Sequence, residues 1–180
     1  MTDYIIIGMV LHEELTGYDM KKEIDSTIGN FYKSSYGSLY PALKKLTEKG
    51  YLTMTEQMEG NKQKKYYKAT NFGKAFFLDW LSEPINPKVS SDDHLVRIFF
   101  FDELSRDIRE KRFQELEFYS QQMLQQLEGI EKELAEEIAN NDNYYYRMST
   151  LYFGLLSATT TIRFIKHIKE QRPFSKLVVK

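Results

Sequence analysis

The chain has 180 residues, 42% apolar and 28% charged, with 25 basic and 26 acidic side chains that leave a net charge of -1. That length and apolar share suffice for a buried core in one or two domains, and the overall charge singles out no polyanionic partner. The absence of cysteine excludes disulfides, thiolate metal sites and thiol nucleophiles.

The first segment, Tyr4 to Glu14, carries Ile5, Ile6, Met9 and Val10 and predicts a helix buried between a domain core and a second layer. Its apolar run is too short for a membrane span and no basic residue precedes it, so no signal peptide is read here and a cytoplasmic location is expected. Thr16 and Gly17 interrupt the run. Met20, Ile24, Ile28 and Phe31 then recur at helical spacing among lysines and acids, which predicts a second helix with a solvated outer face. A polar break from Lys33 to Ser38 offers several N-caps before Leu39, Leu43 and Leu46 mark a third helix, which should end at Gly50. Pro41 leaves two starts open. Beginning near Ser38, the helix keeps Pro41 in its first turn; beginning near Ser35, it bends at Pro41.

After Gly50 the pattern changes. Tyr51 to Thr55 and Lys62 to Lys68 predict two strands around the turn signal Glu59-Gly60-Asn61. Thr70 is placed to cap a fourth helix from Asn71 to about Ser82, ended by Pro84 and Pro87. Residues 1–82 are therefore expected to form one domain, 83–91 a linker, and 92–180 an all-helical second domain. There the longest helix should run from Ser105 to about Ala139. Leu116, Met123 and Ile130 repeat every seven residues, interleaved with Leu127 and Leu134, and a heptad repeat asks for a helical partner. A polar turn at 140–143 leads to a last helix from about Tyr144 to Gln171, with Leu151 and Leu155 on its apolar side, expected to pair antiparallel with the first.

Charge is distributed unevenly: Thr16 to Lys74 holds eleven lysines against six acids. Three helices, a hairpin and a further helix, with base concentrated on the third helix and hairpin, form the layout of a winged helix-turn-helix. The expected fold class is mainly α, with this domain followed by a helical dimerisation domain of long antiparallel, coiled-coil-like helices. A helix fits the major groove of DNA, where Ser35, Tyr36, Ser38 and Lys44 would reach base edges and phosphates. Lys62, Lys64 and Lys65 would displace counterions, and Tyr67 would offer a hydroxyl to phosphate. Tyr40 reads equally as core or as phosphate ligand.

The run Ser34-Ser35-Tyr36-Gly37-Ser38-Leu39-Tyr40-Pro41-Ala42-Leu43-Lys44-Lys45-Leu46, followed by Glu48-Lys49-Gly50-Tyr51-Leu52, resembles the PadR family of transcriptional regulators. Gly17-Tyr18-Asp19 and Lys64-Lys65-Tyr66-Tyr67-Lys68-Ala69-Thr70 with Gly73 continue the resemblance, with Ala69 standing where leucine is usual. The similarity is detailed over residues 4–81; beyond them the length and layout resemble the larger-tailed subfamily. It implies that Ser34, Ser38, Tyr40 and Lys44 belong to a recognition helix and Lys64, Lys65 and Tyr67 to the wing. It also implies a homodimer in which the C-terminal helices pack together and embrace helix one of the other subunit, double-stranded promoter DNA as partner, and repression as the usual outcome. The aromatic usual between helix three and the wing is missing from Thr53 to Met58.

Some regulators of this family respond to phenolic compounds, which makes a small aromatic effector a further partner to consider. Phe99 to Phe101, Trp80 and Tyr144 to Tyr146 are read first as packing and second as the wall of such a pocket. His12, His94 and His167 share no ligand spacing, so neither metal nor cofactor is expected, and no common catalytic motif occurs, so no enzyme is expected. Two alternatives stay open: a MarR-like regulator, which would place helices before as well as after the wing domain, and a helical scaffold protein whose winged domain does not read DNA.

Overall fold

The computed structural model describes residues 1–30, 32, 35–85, 91–138 and 145–177. These form two compact units, Met1–Ser105 and Arg106–Lys180.

The first unit begins with α1 (Thr2–Met9), β1 (Leu15–Thr16) and α2 (Gly17–Thr27). It continues through α3 (Tyr36–Glu48), β2 (Leu52–Glu59), β3 (Lys62–Ala69), α4 (Asn71–Ser82) and α5 (Ser91–Phe99). Its core is the residue set the helical spacings single out: Ile5, Ile6, Ile7, Met20, Ile24, Leu39, Leu43, Leu46, Phe77 and Leu81 are all buried. Because α1 buries three successive isoleucines it cannot be a one-faced surface helix, and it packs against both α3 and α4.

Helix α1 is shorter than the apolar run suggests. The amide of Ala69, at the end of β3, donates to the carbonyl of Val10 at 3.0 Å. That anchors the chain to the sheet just after the last helical residue. A two-residue strand then forms, with Leu15 opposite Tyr67 and Thr16 opposite Tyr66, so the sheet is antiparallel in the order β1-β3-β2. The expected hairpin is joined at Gly60-Asn61, where Gly60 has φ +61° at the first central position, as a type II′ turn requires. Only Leu52 of β2 is buried; from Thr53 on the strand lies exposed, in keeping with its lack of an aromatic.

Thr70 caps α4 by accepting from the Gly73 amide at 2.9 Å, and the helix spans the expected residues. Residues 86–90 of the expected linker lie outside the described residues. Helix α5 packs on the first unit: the Arg97 guanidinium donates to the Trp80 carbonyl at 2.8 Å, and a Cβ on Gly8 would meet the Phe100 ring at 2.6 Å. By packing, the division therefore falls at Ser105, later than the 83–91 segment.

The second unit pairs α6 (Arg106–Ile138) with α7 (Tyr145–Lys169). The pairing is antiparallel. Lys169 meets Glu110 at 2.9 Å and Lys166 meets Glu117 at 3.8 Å near the start of α6, while Gly154 faces Leu127 further along. Leu116 is buried; Leu127, Leu134, Leu151 and Leu155 are half-buried; Met123 and Ile130 are exposed. The expected turn at 140–143 and Tyr144 lie outside the described residues. No described helix is long and apolar enough to cross a membrane.

Candidate nucleic-acid interface

The start of α3 resolves the alternatives left by Pro41. Ser35 is the N-cap: its hydroxyl accepts from the Ser38 amide at 3.2 Å, and the Ser38 hydroxyl accepts from the Ser35 amide at 3.3 Å. This reciprocal capping box fixes the first helical residue as Tyr36 and places Pro41 inside the helix. The carbonyl of Gly37, which Pro41 cannot engage, sits on an exposed residue where water can reach it. The same helix buries Leu39, Ala42, Leu43 and Leu46, so Gly37, Ser38, Tyr40, Pro41, Lys44 and Lys45 project outward. Gly50, with φ +75°, closes the far end. Ser34 and the Tyr36 side chain lie outside the described residues.

The basic residues on this face are matched by acids. Lys44 lies 3.9 Å from Glu48, and Lys45 pairs with Asp3 of α1. On the wing, Glu56 stands opposite Lys65 in register and the two charges are 3.7 Å apart. Lys64 pairs with Glu59, whose hydrogen bond raises the ammonium pKa. Lys62 is Glu59's register partner and is exposed. The local lysine excess is therefore real and half compensated within the hairpin, where Glu56 and Glu59 pair with two of the four lysines, Lys62, Lys64, Lys65 and Lys68.

Tyr67 differs from its expected role. It is buried to 8% exposure in the sheet, so it does not stand out on the wing to meet phosphate. Its place is the floor of a cleft of about 550 Å³ bounded by the N-terminus of α2, by Tyr40 of α3, and by Gln63, Lys64 and Lys65 of β3. Thr16, Gly17, Tyr18 and Asp19 supply the α2 wall. Thr16 caps that helix, accepting from the Asp19 amide at 3.1 Å while its hydroxyl donates to the Asp19 carboxylate at 2.6 Å. Tyr40 is neither buried core nor free surface: half-exposed, it lies over Gly17, where a Cβ would come within 2.8 Å of its ring. Burial raises the Tyr67 phenol pKa, with the neighbouring Tyr40 as the second cause. Sequence reasoning did not bring Thr16, Gly17 and Tyr18 to this site; the Gly17-Tyr18-Asp19 signature was the available signal.

Of the aromatics read as packing or pocket wall, Trp80, Phe100 and Phe101 are buried, whereas Phe99, Tyr145 and Tyr146 are exposed. Among the described residues no group of His, Asp and Glu could hold a metal ion.

A capped, outward-facing third helix beside a lysine-bearing hairpin defines a winged helix-turn-helix protein of the DNA-binding class. Residues 6–78 match the model of the Transcriptional regulator PadR-like family, and residues 92–171 match that of Virulence activator alpha C-term. The Negative transcriptional regulator PadR of Bacillus subtilis strain 168 is 33% identical over 134 residues, 73% of each chain. Among solved structures, Bacillus subtilis PadR in complex with operator DNA is 26% identical, covers 93% of this chain and 95% of its own, and superposes with a TM-score of 0.46. The same protein in complex with p-coumaric acid gives 25%, 93%, 96% and 0.42. With the identity to the curated relative and the match over its winged domain, the chain belongs to the PadR family of DNA-binding transcriptional regulators. The MarR-like alternative gives way to that membership.

Proposed function

We propose that the protein is a repressor that binds a pseudo-palindromic operator as a homodimer, acts in the cytoplasm, and works by binding and not by catalysis. The observation that carries this reading is the exposed first half of α3, with Ser38, Pro41 and Lys44 on one outward face beside the wing lysines. Short polar residues at a helix start suit base edges, and the lysines suit the phosphates on either side. Ser34, Ser35 and Tyr36 complete the approach to the DNA. Repression is supported by the Bacillus subtilis relative, which is a negative regulator.

Dimerisation through residues 92–180 is supported by the apolar side chains that the α6–α7 pair leaves uncovered. Met123 and Ile130 of the heptad repeat are exposed, as are Phe153 and Leu156 of α7. A second copy covering them would bring Leu127, Leu134, Leu151 and Leu155 into a continuous seam and set two recognition helices in successive major grooves, with half-sites about 10 bp apart. We further propose a small aromatic effector that releases the operator.

Fluorescence polarisation of the protein against its own promoter DNA and a scrambled duplex, at two salt concentrations, tests the reading. A promoter preference of about 10³-fold that persists at higher salt is expected. Lys64→Ala should weaken both duplexes and lower the salt slope by about one unit, whereas Ser38→Ala should erode the preference itself. Weak and equal binding to both duplexes would refute the operator assignment and return the helical scaffold reading, and a monomer at micromolar concentration would refute the dimer.

A further inference from the structure

Arg112 lies early in α6, and its side chain is 4% exposed. Among the described residues, its Nε and Nη1 are the buried side-chain polar atoms without a hydrogen-bond partner. Glu115, one turn on, brings a carboxylate oxygen to 3.0 Å from Nη1. That oxygen is close enough to offset part of the charge but lies out of line with the N–H bonds, so both nitrogens stay unsatisfied. Arginine cannot escape by losing its proton, as a buried lysine or histidine can. A guanidinium closed off from water with donors unpaired destabilises the unit that holds it, and such donors call for an acceptor from outside the described chain.

The surroundings define the acceptor. Arg112 shares its side of α6 with Phe113 and Leu116, both buried, so a group that reaches it brings an apolar body. The antiparallel pairing sets the start of α6 beside the end of α7. Residues 106–117 and 163–172 together carry eight lysines and arginines against five acids, whereas 128–138, at the other end of α6, carry one lysine against five glutamates. The second unit is thus electrically polarised, and an anion is drawn to the end that holds Arg112. A guanidinium matches a carboxylate in charge and in planar geometry. The Glu115 pair lacks that alignment and Glu115 is itself 23% exposed, which makes it the partner that an incoming carboxylate displaces.

We propose that Arg112 anchors a binding site for a small, largely apolar carboxylate in the second unit, with the ligand's carboxylate accepting from the guanidinium and its apolar body lying along Phe113 and Leu116. The site goes beyond the aromatic effector proposed above, because nothing in it requires an aromatic ring. It is also independent of the operator reading, because no residue of α3 or the wing takes part.

The test is thermal unfolding and isothermal titration calorimetry of the full chain, as wild type and as Arg112→Met. The probes are hexanoate and benzoate, their neutral counterparts hexanol and benzyl alcohol, and inorganic phosphate, all at ionic strength matched with chloride. Both carboxylates should raise the wild-type unfolding temperature, and the alcohols should not. Loss of hydrogen bonds to a charged group predicts about tenfold weaker carboxylate binding to Arg112→Met. In chloride alone the variant should unfold at the wild-type temperature or above it, since an apolar side chain replaces a buried cation with unpaired donors and leaves Glu115 in contact with water. A variant markedly less stable than the wild type in chloride assigns the guanidinium a purely structural role and overturns the proposal, as do equal responses of the two proteins to the carboxylates. Alcohols as effective as the carboxylates would refute the pairing with Arg112, and phosphate as effective as the carboxylates would reduce the site to one for inorganic anions; either result overturns the ligand class. A wild type indifferent to both carboxylates refutes the site itself, whatever the protein does with DNA.

Discussion

Arg97 is the side chain whose loss should cost the first unit most per atom removed. It is 8% exposed and its partner Asp93 is 9% exposed, one turn earlier on α5. The guanidinium donates from Nε to Asp93 at 3.3 Å and from Nη1 to the carbonyls of Trp80 at 2.8 Å and Glu83 at 3.4 Å, with its carbon 4.6 Å from the centre of the Trp80 ring. It thus supplies a second donor to the Trp80 carbonyl, which also accepts from the Glu83 amide, and a donor to the Glu83 carbonyl just past α4, and it places a cation where the helix dipole favours one. Arg97→Met keeps most of the stem volume but strands the Asp93 carboxylate in a buried site and takes one donor from each of two carbonyls, of which that of Trp80 keeps the Glu83 amide. Breaking one side of a buried ion pair costs about 3–5 kcal/mol, and the cation–π contact is already contained in that figure. Urea unfolding should show this loss, and hydrogen exchange should show it concentrated in α5. Adding Asp93→Leu removes the stranded charge and should recover more than half of it, since an apolar replacement of the whole pair is close to neutral. A single-variant cost under about 1 kcal/mol, or a double variant no more stable than the single, would refute the assignment of the energy to this pair.

Gly73→Ala should destabilise the first unit by about 1–3 kcal/mol in thermal or urea unfolding, because its Cβ would fall 2.1 Å from the Tyr51 carbonyl oxygen, a backbone atom that Thr70 also holds. Ser35→Ala removes one half of the α3 capping box and should cost about 1 kcal/mol of stability, with weaker promoter binding measured by polarisation. Glu56→Gln and Glu59→Gln free the wing lysines from their own acids and remove charges that repel phosphate. Both should tighten binding to promoter and scrambled duplexes alike, by roughly two- to fivefold at low salt and less at high salt.

Much of the fold can be read from spacing alone because the residues that set it act locally. Leu39, Leu43 and Leu46 define the buried side of α3, Thr70 caps α4, and Gly50 and Gly60 take the positive φ that only their turns require. The exceptions are non-local. Nothing within Tyr4 to Glu14 announces that the Val10 carbonyl is claimed by Ala69 or that Leu15 and Thr16 become a strand, since both depend on β3 arriving from fifty residues away. The same holds for α5. Its sequence alone reads as the start of the helical tail, yet Arg97 and Phe100 tie it to α4 and α1 through contacts no periodicity records.

The interface shows the same division with a functional consequence. Lysine positions are visible in the sequence, but their acid partners follow from strand register, and Glu56 facing Lys65, with Glu59 on Lys64, halves the basic excess of a hairpin that carries Lys62, Lys64, Lys65 and Lys68. Such a surface attracts DNA less strongly at long range, because opposite charges a few ångströms apart cancel beyond a Debye length. At contact the balance changes: a phosphate can take the place of a glutamate on a lysine, provided other groups hold the backbone close enough for the exchange. Affinity would then depend on fit more than on net charge, and a regulator with little excess charge would discriminate its operator from bulk DNA by penalising loose, purely electrostatic binding.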